Sequence, residues 1–142
     1  MAMACRGVRG ATTVTANTKE AVVEATREVL EKIIEANGIA AEDVAYALFT
    51  TTRDVNAEFP AVAARLMGWD KVALMCGHEM DVPDATKGVI RVMALWNTDR
   101  RQDEIVNIYL RGAAHLRQRG VEGQKAASAP SAGKPGRPQA GQ

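Results

Sequence analysis

The chain has 142 residues and a formal net charge of +1, with 25% charged and 46% apolar residues. This balance is typical of one globular domain and excludes the strongly basic surface of a nucleic-acid-binding protein. No apolar run reaches the ~18 residues that a membrane-spanning helix needs, and the start of the chain has no apolar signal-peptide core. We therefore expect a cytoplasmic protein that binds neither nucleic acid nor a membrane.

The cysteines of the chain are Cys5 and Cys76. They could form one disulfide, but in a reducing compartment two free thiols are expected. Cys76 lies near His78, yet one cysteine beside one histidine is not a zinc ligand set. The sequence therefore predicts no metal site.

The first elements are a strand and a long helix. Residues 5–14 are predicted to form a strand, and Asn17, three residues before Glu20, resembles a helix N-cap. Apolar residues then recur at helical spacing up to Asn37, where Gly38 is a good helix stop. The helix is amphipathic, so one of its faces is expected to cover a sheet.

The middle of the chain predicts three more strands. Residues 44–51 are rich in β-branched and aromatic side chains, and the segments 71–76 and 89–97 are also predicted strands. Pro60 favours a short helical turn over residues 61–67. This order predicts an α+β fold with one sheet and one long covering helix. Because one helix covers only one sheet face, the other face is expected to need a partner subunit.

The end of the chain contains two different segments. Residues 105–116 combine helix-favouring and strand-favouring signals, and both alternatives stay open. Residues 121–142 hold three of the five prolines and no aromatic residue, which predicts a disordered tail. The predicted folded domain is therefore 1–120, followed by the tail 121–142.

Arg91 is the most unusual residue of the predicted sheet. It lies in the run 89–96, which is otherwise apolar and therefore typical of a strand buried on both faces. An arginine there requires an anionic partner, and Glu79 is a candidate. Arg9 is a second cation within a predicted strand. From these residues alone, a structural ion pair and a ligand-binding role both stay open.

Four blocks of sequence carry a family resemblance. They are RGVRGATTV (6–14), NAEFPA (56–61), CGHEMDV (76–82) and IRVM (90–93). In this order and spacing they resemble the α+β trimeric class of monofunctional chorismate mutases, from about Arg6 to Arg117. The resemblance implies a five-stranded mixed sheet covered by one long helix, assembled as a homotrimeric pseudo α/β-barrel with sites at the subunit interfaces. It also favours a strand over 108–114.

The implied reaction is the Claisen rearrangement of chorismate to prephenate in aromatic amino-acid biosynthesis. This isomerisation is one concerted electron shift, so no nucleophile, metal or cofactor is implied. The site has to restrain a flexible dianion and stabilise the negative charge that grows on the ether oxygen. The resemblance assigns that stabilising role to Arg91.

Other roles are implied residue by residue. Arg9 resembles a carboxylate clamp, Glu79 the acceptor for the ring hydroxyl, and Cys76 the cysteine beside that hydroxyl. Tyr109 is implied to donate its phenol to a substrate carboxylate. The resemblance implies that an adjacent subunit contributes Phe59, Ala61 and Arg65. Leu74 and Met75 are implied to line the wall of the site, and Leu116 and Arg117 to close over it.

The chain departs from the family pattern in three places, one of which is the stretch 65–69 that begins at Arg65, a residue shorter than in some relatives. Val62 stands where family members can carry a lysine, so that carboxylate contact is missing. Met75 stands where a threonine can occur, which leaves only its backbone for polar contact.

Two other functions remain as alternatives. One is a trimeric enamine or imine hydrolase of similar architecture, in which an arginine also grips a carboxylate but a water must be activated. The other is a non-catalytic module that binds an anionic metabolite. The combination of Glu79, Arg91 and Cys76 favours the mutase.

Overall fold

The computed structural model describes residues 2–118, and the predicted tail 121–142 lies outside them. One five-stranded sheet has the strand order β3-β2-β4-β1-β5, in which β2 pairs with β3 and β1 with β5 in parallel. The other two pairings are antiparallel, so the sheet is mixed as predicted. The strands are β1 (Ala4–Thr13), β2 (Val44–Thr51), β3 (Ala73–His78), β4 (Val89–Thr98) and β5 (Ile108–Tyr109).

The long helix α1 (Lys19–Asn37) ends as predicted but begins differently. Gly38 closes it with φ 72°, the left-handed conformation that glycine adopts easily. At the start, Thr18 is the N-cap, because its hydroxyl accepts a hydrogen bond from the Ala21 N–H at 3.1 Å. The prediction of Asn17 as the cap was therefore wrong.

One face of the sheet holds the hydrophobic core. Leu30 and Ile33 of α1 are fully buried in the same cluster as Phe49, Val92 and Trp96 from the sheet. The short helix α2 (Ala61–Leu66) contributes to the same core through Ala61 and Ala64. Within residues 2–118, both helices thus pack on the same face of the sheet, and the long helix covers one face as the sequence predicted. No described helix is long and apolar enough to cross a membrane.

The opposite face of the sheet lacks a covering helix among the described residues, and we call it the open face. Directly paired residues point to the same side of a sheet, and on this side the apolar members are Tyr46, Leu48, Met75, Met93 and Leu95. Tyr46, Met75 and Met93 are 41%, 68% and 37% exposed. The prediction that the strand of Arg91 is buried on both faces is therefore wrong for the single chain.

The segment after β4 forms less strand than expected. Pairing with β1 stops at Tyr109, and short 3₁₀ turns follow at Arg111–Ala113 and Leu116–Gln118. Arg111 adopts φ 52°, which turns the chain out of the sheet. Its guanidinium donates to the Thr13 carbonyl at 3.1 Å and pairs with Glu28 of α1 at 3.0 Å. The expected strand over 108–114 is therefore confirmed only for its first two residues.

The close approach of β1 to α1 depends on Gly10. A Cβ placed on this residue would lie 2.5 Å from Ile33 Cδ1 and 3.1 Å from Val29 Cγ2, both in the buried core. We expect Gly10→Ala to lower the free energy of unfolding by about 1–3 kcal/mol, because the core must shift to admit the methyl group. Urea unfolding at one fixed protein concentration measures this loss.

The matched control for that measurement is Gly77→Ala, a glycine in strand β3 where an added methyl group would meet open space, with no neighbouring atom within 4 Å. It should unfold at nearly the same urea concentration as the unchanged protein. Equal midpoints for Gly10→Ala and Gly77→Ala would contradict the close packing of β1 on α1.

Candidate active site

Four of the predicted site residues meet in one hollow on the open face, which we call the arginine cleft. Arg9 reaches it from β1, Arg91 from β4 and Tyr109 from β5. Glu79 is the residue that directly follows β3. The hollow has a volume of about 160 Å³. Its wall also includes Gly10, Leu48, Thr50, Val92 and Met93.

The sheet register explains why these residues converge. On β4, Arg91 is paired with Ala11 of β1 and with Thr50 of β2, so it lies in the middle of the sheet. On β5, Tyr109 is also paired with Ala11 and therefore lies on the far side of β1 from Arg91. Arg9 is two residues before Ala11 and points to the same face. Rigid neighbouring strands thus fix the cations and the phenol relative to one another.

The charged groups of the cleft form a loose ion pair. Arg91 Nη1 lies 3.4 Å from Glu79 Oε2, and the two side chains are 48% and 25% exposed. Half-exposed pairs at such distances stabilise a fold by only about 0–1 kcal/mol. The guanidinium therefore keeps donors for a ligand, and the cleft combines two cations, a carboxylate and a phenol in a space open to a small anion.

Two asparagine side chains hold the backbone next to the cleft in place, a role that the sequence did not predict. The Asn107 Oδ1 atom accepts a hydrogen bond from the Arg9 backbone N–H at 2.8 Å. Asn37, buried at the end of α1, accepts from the Val106 N–H and donates to the Val106 carbonyl, both at 2.9 Å. These bonds fasten the segment that leads into β5 and Tyr109. The sequence marks Asn37 only as a residue before a helix stop, so no pattern could have revealed the contact.

A second group of predicted residues lies around a separate hollow of about 300 Å³. We call it the cysteine hollow, and its lining includes Phe59, Pro60, Cys76, Gly77 and His78. Cys76 is paired with the fully buried Phe49, so it points to the face that the helices cover and away from the open face. Phe59, in contrast, is 66% exposed.

Ala61 and Arg65 do not line this hollow, but both act on the Cys76 thiol. Burial raises the pKa of the Cys76 thiol, although a hydrogen bond from the Ala61 backbone and the charge of Arg65 act in the opposite direction. The thiol is consequently neutral at pH 7, consistent with a hydrogen-bonding partner and not with a nucleophile.

A labelling experiment checks this protonation state. In a Cys5→Ser variant, which removes the exposed thiol, we expect Cys76 to react with iodoacetamide at pH 8 roughly tenfold more slowly than in the urea-unfolded chain. In the folded chain, the increase of the labelling rate with pH should occur at higher pH than for an ordinary thiol, because the raised pKa shifts thiolate formation to higher pH. Equal rates in the folded and unfolded chains would contradict the burial of Cys76.

Within one chain, the arginine cleft and the cysteine hollow do not share a lining residue. Cys76, expected beside the ring hydroxyl of the substrate, lines the cysteine hollow, whereas Glu79, the expected acceptor for that hydroxyl, lines the arginine cleft. Leu74 packs against the core, whereas Met75 lies on the open face. Leu116 is half-buried and Arg117 exposed in the last described turn, and neither lines the two hollows.

Metal ligands are not grouped in the part of the chain that the structure describes. Residues 2–118 contain no cluster of three or more His, Cys, Asp or Glu side chains placed to hold a metal ion. Cys5 and Cys76 are both free.

Known proteins resemble this chain over most of its length. A family model described as chorismate mutase type I matches residues 5–119. The chorismate mutase AroH of Thermus thermophilus is 50% identical over 113 residues, covering 79% of this chain and 93% of that protein. The chorismate mutase AroH of Bacillus subtilis (strain 168) is 47% identical over 116 residues, covering 81% and 91%.

A solved structure shares the fold as well. The chorismate mutase from Clostridium thermocellum superposes with a TM-score of 0.74 at 46% sequence identity. The match covers 75% of this chain and 96% of that one. The family model spans the chain from β1 to the last described turns, and the other matches cover 75–81% of the chain.

Proposed function

Because this chain belongs to the chorismate mutase type I family, we propose that the arginine cleft is where it rearranges chorismate to prephenate. The activity is that of an isomerase in aromatic amino-acid biosynthesis, in accord with relatives at 47% and 50% identity. The matches reported above are all with chorismate mutases, so they support neither the hydrolase nor the binding module considered as alternatives.

The observation that carries the placement of the site is the position of Arg91. Its guanidinium projects from a central strand into an open cleft, only loosely engaged by Glu79 at 3.4 Å. During the rearrangement the ether C–O bond breaks while a C–C bond forms, and negative charge grows on the ether oxygen. A fixed cation at that oxygen stabilises the transition state more than the ground state.

The other residues of the cleft supply restraint. We propose that Arg9 and Tyr109 bind the substrate carboxylates, using a planar fork of donors and a phenol O–H. Glu79 accepts a hydrogen bond from the ring hydroxyl, and its charge offsets part of the positive charge of the arginines. Together they hold the enolpyruvyl arm over the ring, which removes the conformational search that slows the reaction in water.

The site is completed, in this proposal, by a second subunit of a homotrimer. The apolar side chains of the open face, with Met75 68% and Tyr46 41% exposed, need a cover. A neighbouring copy that covers this face also explains why the arginine cleft and the cysteine hollow are separate in one chain. The hollow of one subunit, lined by Phe59 and Cys76, then lies against the cleft of the next, and Arg65 of the neighbouring helix α2 lies beside it. We also propose a cytoplasmic location, supported by the two free thiols.

The direct test is conversion of chorismate to prephenate by the purified full-length chain, with no metal or cofactor added. Fast loss of chorismate and formation of prephenate is the expected result. Binding of chorismate without turnover would instead favour the binding module. Failure of both binding and turnover would contradict the proposed site.

For the tail, we propose that residues 121–142 are a solvated appendage outside the catalytic domain. Deleting 121–142 should leave kcat/KM within about twofold of the full chain, because the segment has no aromatic residue and no apolar residue larger than Val121 to pack on the site. Steady-state kinetics on both chains measures this. A large loss would mean that the tail helps cover the site.

A further inference from the structure

Thr50 reaches the arginine cleft from the strand next to Arg91. The register of β2 pairs it with Arg91 on β4 and with Gly77 on β3, and it lines the same hollow as Arg9 and Glu79. It lies outside all four blocks that carry the family resemblance. It is nevertheless the strand neighbour of Arg91, and its side chain contacts Glu79.

The hydroxyl of Thr50 is hydrogen-bonded to the carboxylate. Thr50 Oγ1 donates to Glu79 Oε2, the same oxygen that lies 3.4 Å from Arg91 Nη1. Both contacts fall on Oε2, so within residues 2–118 it is Oε1 that is left to accept from a substrate hydroxyl. A hydrogen bond to a charged group is among the stronger single contacts in a protein.

Little else directs the Glu79 side chain. The residue follows the end of β3, where its backbone N–H donates to the Thr51 carbonyl at 2.7 Å. Its neighbour Met80 is 82% exposed, and Asp81 makes an exposed pair with Arg53 at 3.8 Å. The direction of the carboxylate therefore depends on Thr50 and Arg91.

Without the hydroxyl, Arg91 would be the remaining partner of Glu79. A carboxylate facing an arginine alone favours a two-pronged pair that uses both oxygens and two guanidinium donors. Such a pair would occupy the donors that the ether oxygen needs and the oxygen that the ring hydroxyl needs. The loose distance of 3.4 Å in this structure shows that the pair has not closed.

We propose that Thr50 is a positioning residue for the rearrangement, whose hydroxyl holds Glu79 so that Arg91 stays available to the substrate. The inference rests on the proposed function of the arginine cleft. Thr50 touches no reacting atom in this scheme and acts only through Glu79.

The test is a double-mutant cycle with a conservative control. Thr50→Val keeps the shape and the strand preference but removes the hydroxyl, and kcat should fall roughly ten- to a hundredfold. Thr50→Ser keeps the hydroxyl and should stay within about threefold of the unchanged chain. In a Glu79→Ala background, Thr50→Val should cause no further loss, because the group it positions is gone. The mass of the assembly and the melting temperature of each variant are measured alongside.

Each outcome decides the inference. Full activity of Thr50→Val would overturn it, and so would the same fractional loss with and without Glu79. A loss that Thr50→Ser shares would also overturn it, since that pattern indicates packing and not the hydroxyl. Failure of the unchanged chain to convert chorismate would overturn the proposed function and this inference together. If the unchanged chain is active, only the role of Thr50 is in question.

Discussion

Replacing Arg91 by alanine should lower kcat by about 10²–10³-fold, the loss that follows removal of one transition-state hydrogen-bond donor from an enzyme site. The reason lies in the geometry of the cleft. Arg91 is on a central strand, half exposed, and only loosely paired with Glu79, so it can meet charge that develops on a ligand. Because that charge is greatest in the transition state, kcat should fall more than KM rises. Chorismate turnover under saturating substrate measures the loss.

Two further variants separate charge from geometry. Arg91→Lys keeps a cation but loses the planar fork, so it should recover only part of the lost rate. Arg101→Ala is the matched control, because this exposed arginine pairs with Asp103 at 2.8 Å outside the lining of the cleft. It should leave turnover unchanged. A near-normal rate for Arg91→Ala, with the assembly intact, would refute the role of Arg91.

Much of the fold could be predicted from the sequence because local patterns determined it. Strand β2 was predicted with its observed bounds, and the end of α1 at Asn37 followed from the glycine after it. The start of α1 was less determined, since Asn17 and Thr18 are both good caps. Asn17 instead accepts hydrogen bonds from the backbone of Asn56 and Ala57, a contact between distant segments that no local pattern contains.

The charged residues of the site were predictable for a different reason. A cation in an apolar run requires an anionic partner, so the sequence alone predicted that Arg91 lies close to Glu79. The two side chains are 3.4 Å apart in the structure. Thr50 and Asn107 could not be found in this way, because an uncharged polar residue in a strand or loop requires no special partner. The prediction that the strand of Arg91 is buried on both faces was wrong for the single chain, because apolar composition does not distinguish a core from a surface that another subunit could cover.

A substitution on the open face gives the other large expected effect. Tyr46→Asp places a carboxylate on the open face, where the proposed neighbouring subunit would bury it without a partner. In the single chain Tyr46 is 41% exposed, so the fold itself should tolerate the change. We expect the mass in solution to fall from about three times 15.2 kDa to that of one chain. We also expect kcat/KM to fall at least about 100-fold, because misplaced site residues lose that much.

The matched control is Met3→Asp, which introduces the same charge at an apolar residue that is 66% exposed and lies outside the sheet and outside both hollows. Sedimentation velocity and chorismate turnover are measured on both variants, with circular dichroism to confirm folding. Loss of mass and activity together in Tyr46→Asp alone would tie catalysis to the contact on the open face. A monomer that kept full activity would show that the arginine cleft works without the cysteine hollow of a neighbour, and the interface proposal would be wrong even if the chemistry assigned to Arg91 were right.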